Sequence, residues 1–147
     1  MTEENVRTTD TAFTITRTFP APLATVWDTW TRPEHFQQWF HAKPGTVELD
    51  LRTGGPWRAV TQTPGGEMPV SGVYREVIDG EKLVWTVDTP GDPVVMTATF
   101  SERDGRTVAV YHQTVVAPFT CDQAVAGATG LLDSFGQYLK TITGTQP

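Results

Sequence analysis

The sequence predicts an α+β domain in which a curved antiparallel sheet wraps around one long C-terminal helix. Three observations predict it. Residues 46–117 read as six consecutive strands, joined by short Gly-rich connections. Residues 120–143 carry one apolar stripe with helical spacing. Two short amphipathic segments lie between a first strand and the six-strand run, giving the order β-α-α-β-β-β-β-β-β-α.

The first strand, 12–19 (AFTITRTF), alternates and is rich in β-branched and aromatic residues. Pro20 and Pro22 stop it, and Pro22 suits the first turn of a helix, where its missing N–H is not needed. Leu23, Val26, Trp27 and Trp30 then recur at i, i+3, i+4 and i+7, one face of a helix. Thr31 and Glu34 have capping-box spacing around Pro33, which predicts a second helix to about Trp39 that buries Phe36, Trp39 and Phe40. The strands expected next are 46–52, 56–63, 68–78, 81–88, 93–102 and 106–117. Gly54-Gly55, Gly65-Gly66, Asp79-Gly80 and Asp104-Gly105 separate them, each supplying a residue that tolerates positive φ. Connections this short imply an antiparallel meander. In the last helix, Cys121, Val125, Ala128, Leu132, Phe135, Leu139 and Ile142 are spaced alternately by four and three residues. Thr120 and Gln123 form a capping box at its start, and Gly144 is a stop signal. The helix should be roughly 36 Å long. Gly127, Gly130 and Gly136 interrupt it at about 1 kcal/mol each relative to Ala, so close packing on the sheet or room for a ligand should compensate.

Composition narrows the function. The 147 residues fit one domain, expected over 12–143, with polar and flexible ends at 1–11 and 144–147. Eleven Lys and Arg against 17 Asp and Glu give a formal charge of −6, unsuited to general binding of nucleic acid or anionic membranes. No apolar run is long enough for membrane insertion. The acidic N-terminus lacks a secretory h-region, so a cytoplasmic protein is expected. The single cysteine, Cys121, rules out an intramolecular disulfide and a cysteine zinc cage. Its place on the helix stripe makes it a small buried hydrophobe. His35, His41 and His112 lack metal-ligand spacing, so no metal site is expected. None of Ser71, Ser101 and Ser134 sits in a nucleophile elbow. Asp88 and Asp92 read as a solvated turn.

Five Trp, seven Phe and three Tyr are the positive signal. Strand parity places Met96, Ala98 and Phe100 inward, together with Trp57, Ala59 and Thr61, Gly72 and Tyr74, and Leu83, Trp85 and Val87. On the last strand Val108 and Val110 are taken as inward, which carries His112 and Thr114 inward and Tyr111 and Gln113 outward. An inward His112 would either orient a polar ligand group or act as acid/base, or else be a core histidine bonded to backbone or Tyr74. Trp57, Tyr74 and Trp85 would form either an aromatic-walled pocket or plain core. Trp27, Trp30 and Trp39 fit the inner face of a lid helix better than an exposed patch. Asp50 and Arg52 fit a turn-anchoring pair better than an anion site.

Particular motifs resemble a known family. They are Phe19 to Pro22, Val26 to Trp30, Pro33 to His35 with Trp39, and Asp50 to Gly55 leading into Pro56 to Arg58. Gly72 to Tyr74, Lys82 to Val84 and Gly105 to Thr107 complete the set. In this order the chain resembles the START-like (SRPBCC, polyketide cyclase/Bet v 1-like) superfamily over about 12–142. The branch is the one similar to the heat-shock protein 90 ATPase activator. The resemblance implies a helix-grip fold over a mostly apolar cavity, and binding of a small apolar or aromatic molecule. The expected ligand-binding residues are Trp57, Thr61, Tyr74, Trp85, Met96, His112, Leu132 and Phe135, with no cofactor. Two alternatives stand beside it. One is a cyclase, dehydratase or hydratase using His112 and Tyr74. The other is a chaperone ATPase-stimulating domain with a protein partner.

Overall fold

A computed structural model describes residues 4–116 and 119–143. Its elements are β1 (Glu4–Thr8), β2 (Ala12–Phe19), α1 (Leu23–Thr31), α2 (Pro33–Trp39), β3 (Glu48–Leu49), β4 (Pro56–Thr63), β5 (Gly66–Ile78), β6 (Lys82–Val87), β7 (Val94–Arg103), β8 (Arg106–Thr114) and α3 (Cys121–Thr143). The strands form one eight-stranded antiparallel sheet in the order β1-β2-β8-β7-β6-β5-β4-β3. The sheet and the C-terminal helix make the helix-grip fold.

The expected six-strand meander is present, and each turn shows the required backbone. Asp104 and Gly105 both have positive φ, 54° and 76°, as a two-residue type I′ hairpin demands. Several details differ from the sequence reading. The N-terminal segment was expected to be flexible, but Glu4–Thr8 pairs with β2 in full register from Glu4↔Arg17 to Thr8↔Phe13. The strand expected at 46–52 shortens to Glu48–Leu49. There Arg52 Nε donates to both Asp50 carboxylate oxygens at 3.0 Å, and Gly54 N–H donates to Tyr74 O at 2.7 Å, which turns the chain. The Thr31 capping box does not form. Thr31 Oγ1 donates to Trp27 O at 2.7 Å, and Arg32 is the N-cap that precedes Pro33. The other capping box does form: Thr120 N–H donates to Gln123 Oε1 at 2.9 Å and Gln123 N–H to Thr120 Oγ1 at 3.2 Å. Residues 117 and 144–147, which include the expected end of the last strand and the Gly144 stop, lie outside the described residues.

The core lies between the concave face of the sheet, α3 and the α1–α2 pair. Residues of β2 alternate between half-buried and buried, with Phe13, Ile15, Arg17 and Phe19 inward. Arg17 ends in a 2.8 Å bond to Asp133 of α3, so its charge is paired. On α3 the stripe is buried from Ala128 through Leu132, Phe135 and Leu139, while Ile142 at the end is exposed. Trp27, Trp30 and Trp39 are inner-face residues: Trp30 meets Trp39 at 5.2 Å and Phe135 at 4.9 Å between ring centroids, and Trp27 meets Phe100 edge-on at 5.7 Å.

Gly72 shows how tightly the sheet is built. It pairs with Trp57 across β4–β5. A Cβ on it would sit 1.8 Å from Thr86 O. The bare glycine lets the Trp57 indole lie across the strand, where Nε1 donates to that same carbonyl at 2.8 Å. Two residues later the β5–β6 register shifts between Tyr74 and Glu76, a bulge that leaves Arg75 outside.

A candidate ligand cavity under the C-terminal helix

Four inward residues on neighbouring strands stand in one cross-strand row. Tyr74 pairs with Trp85, Trp85 with Met96, and Met96 with Gln113. Directly paired residues share a face of the sheet, so the row forms a continuous floor. Above it lies a hollow of about 420 Å³, roofed by Ala128, Leu131 and Leu132 of α3 and walled by Trp57 and Trp30. Met68 and Phe119, among the exposed large apolar residues, also line it and mark its open end. Gly127 lines it too, and a Cβ there would touch nothing within 4 Å. Close packing on the sheet therefore does not account for Gly127.

The wall is apolar with a few polar groups, none of them charged. The Tyr111 hydroxyl donates to Gln113 Oε1, and the Gln113 amide NH₂ has no hydrogen-bond partner among the described residues. The Tyr74 hydroxyl and the Trp85 indole N–H have no hydrogen-bond partner among the described residues. Among the described residues no fully sealed side-chain polar atom lacks a partner, so these two groups each keep some exposed surface. Burial pushes the Tyr74 and Tyr111 phenols well above the usual tyrosine value. Both stay protonated near neutral pH, and Tyr74 is available as a hydrogen-bond donor.

Of the residues singled out in sequence, Trp57, Tyr74, Trp85, Met96 and Leu132 come together on this wall. Phe135 lies behind it in the core, fully buried against Phe19, Trp30 and Trp39. Thr61 is not part of the wall, and its hydroxyl donates to Phe40 O at 3.1 Å.

His112 corrects the sequence reading. It is exposed on the outer face, with Nδ1 2.8 Å from Thr14 Oγ1. The inward residues of β8 are Thr107, Ala109, Tyr111 and Gln113, opposite to the expected parity, although Thr114 at the end of the strand also lines the hollow. The alternation Val108-Ala109-Val110-Tyr111 is apolar on both faces, so the two valines carry no signal of parity. The hairpin held the missing signal. A two-residue Asp104-Gly105 turn pairs Arg103 with Arg106, and stepping back along the strands brings Met96 opposite Gln113. An inward Met96 therefore requires an inward Gln113.

The other histidines are engaged elsewhere. His35 Nδ1 is 2.7 Å from Tyr138 OH, and His41 Nε2 is 3.0 Å from Ser134 Oγ, whose proton goes to Trp39 O. Burial, then the nearby Glu34 charge, raise the Tyr138 phenol. Cys121 is half-buried, its Sγ 3.9 Å from Ala12 O. A second hollow of about 410 Å³ lies farther along α3 beside Arg17, Asp133 and Lys140.

The sheet, the long helix and the motifs along them agree with one family model, the Activator of Hsp90 ATPase homolog 1-like protein, which matches residues 20–140. The chain belongs to that family. Through it, the chain belongs to the START/Bet v 1 (SRPBCC) superfamily. Solved structures of similar fold include the AHSA1-like protein from Aeromonas hydrophila, 20% identical over 91% of this chain and 96% of that one, with a TM-score of 0.77. Protein Ms6760 from Mycobacterium smegmatis is 21% identical over the full length of both chains, TM-score 0.80. CalU16 from Micromonospora echinospora is 20% identical over 95% and 86%, TM-score 0.73. At these identities the likeness concerns the fold. No curated protein matches the sequence. As a member of this family the chain is, in general terms, a ligand-binding or Hsp90 ATPase-activator-like domain. Among the described residues no helix is long and apolar enough to cross a membrane.

Proposed function

We propose that this protein binds a small apolar or aromatic molecule in the hollow between its sheet and α3. One observation carries the reading: a core built around Trp30, Trp57, Trp85 and Leu132 leaves about 420 Å³ unfilled, within the range of small-molecule pockets. Interiors normally pack densely, and a hollow this size forfeits contacts that a ligand would restore. The polar groups on its wall are few and uncharged, as suits orienting an apolar guest.

The cyclase, dehydratase or hydratase alternative loses its base. His112 lies outside the hollow, and no side chain on the wall titrates near neutrality. The chaperone ATPase-stimulating alternative draws its support from the family description.

The test is a thermal-shift screen with a broad library of apolar molecules. A ligand held only by the native state, at a hundred times its Kd, raises stability by about 2.7 kcal/mol. Expected are hits whose binding also changes tryptophan fluorescence, because Trp30, Trp57 and Trp85 line the hollow. A library-wide absence of shifts would sink the proposal.

A further inference from the structure

The chemistry of the unpartnered groups narrows the ligand, on the footing that the hollow binds an apolar molecule at all. Three polar side chains in the Tyr74–Trp85–Met96–Gln113 row are open to the hollow, and each has a hydrogen to give. The Trp85 indole N–H can only donate. The Gln113 amide has its oxygen engaged by the Tyr111 hydroxyl, so its NH₂ is what remains. The Tyr74 hydroxyl, protonated near neutral pH, donates as well. Among the described residues no Lys, Arg, His, Asp or Glu lines the hollow.

We infer that the cavity selects uncharged ligands bearing a hydrogen-bond acceptor, such as a carbonyl or ether oxygen, seated on the Tyr74–Trp85–Gln113 side of the row. A purely apolar guest would strip water from these donors and leave them unmet, which is costly in a low-dielectric site. An acceptor on the guest removes that cost. A carboxylate would be buried without a counter-charge, inside a protein whose formal charge is already −6. An ammonium would likewise be buried with no carboxylate on the wall to pair it. The adjacent strands of the row are about 4.8 Å apart, so the donors sit side by side along the floor, and Met96 supplies an apolar surface between Trp85 and Gln113.

Three probes separate this inference from the reading it rests on. The hollow holds roughly 14 waters at their bulk share of about 30 Å³, and diphenylmethane and benzophenone are each small enough to fit inside it. They differ by one carbonyl, and 4-benzoylbenzoate adds a carboxylate. Partition out of water favours diphenylmethane, so a cavity blind to acceptors binds it more tightly. Calorimetric titration at pH 7 is expected to show benzophenone binding about fivefold more tightly than diphenylmethane, and 4-benzoylbenzoate about a hundredfold more weakly than benzophenone. The Tyr74→Phe and Trp85→Phe variants should each weaken benzophenone about fivefold more than they weaken diphenylmethane. His112→Ala, on the outer face, should change neither. Equal or tighter binding of diphenylmethane overturns the acceptor inference and leaves the apolar pocket standing. Failure of both neutral probes to bind overturns the two together. Carboxylate binding as tight as that of the ketone overturns the selection for uncharged ligands. A ketone preference that survives both phenylalanine variants overturns the assignment to Tyr74 and Trp85.

Discussion

Replacing Gly72 with alanine should be among the most damaging single-methyl additions in this protein. The new Cβ would sit 1.8 Å from Thr86 O, 2.6 Å from Thr86 C and 2.9 Å from Trp57 Nε1. Relief would need well over 1 Å of movement against carbonyl backbone, which has no rotamer to change. The β5 and β6 strands would have to part at Gly72. The Trp57–Thr86 bond of 2.8 Å would break, leaving a buried indole N–H and a buried carbonyl without partners. One stranded buried group costs about 1–3 kcal/mol, and overpacking adds about as much again. The expected loss is therefore at least about 3 kcal/mol, a large share of the 5–15 kcal/mol typical of a domain. At this chain length it should lower Tm by about 10 °C. Urea unfolding followed by circular dichroism measures it. The control is Gly130→Ala, where a Cβ meets nothing within 4 Å on an exposed helical face. It should stabilise the protein by roughly 0.5–1 kcal/mol through helix propensity alone. A Gly72→Ala loss below about 1 kcal/mol would refute the close-approach argument, and a Gly130→Ala loss would show that this glycine has a role the packing does not reveal.

Thr120→Ala removes the acceptor for Gln123 N–H at the start of α3 and should cost about 1 kcal/mol in urea unfolding. His112→Ala deletes one exposed bond to Thr14 and should stay within about 1 kcal/mol of the parent. A loss above 2 kcal/mol would contradict its outward placement. The buried phenols give an alkaline limit. Burial raises Tyr74 and Tyr111 in the folded state, so their contribution is fully present below the unfolded value of about 10 and is lost as pH rises above it, when the unfolded chain ionises first. Each tyrosine should steepen the loss by up to about 1.4 kcal/mol per pH unit. Tyr74→Phe should flatten the fall above pH 10, and absorbance at alkaline pH should show tyrosinate forming with unfolding rather than before it.

The order of elements was legible in the sequence because its signals are local. The Thr120–Gln123 box and the Asp104-Gly105 turn each act within a few residues and take their expected form, and the four-three stripe of α3 does so from Ala128 to Leu139. Where local signals conflict, tertiary contacts decide. Thr31 had two possible partners and took Trp27 O within its own helix. Glu4–Thr8 has no apolar alternation to announce it, and becomes a strand because β2 offers a free edge. On β8 both faces are apolar, and only the register with β7 decides which one turns inward.

By itself the sequence determined an acidic single-chain α+β fold, its strand and helix order, and the aromatic side chains that fill it. Its motifs also carried the family. Only the tertiary structure decided that Gln113 rather than His112 faces the hollow, that Phe135 is core rather than wall, and that space remains between them. A cavity is the difference between the volume that several separate elements enclose and the volume their side chains fill, and no short-range pattern encodes that difference.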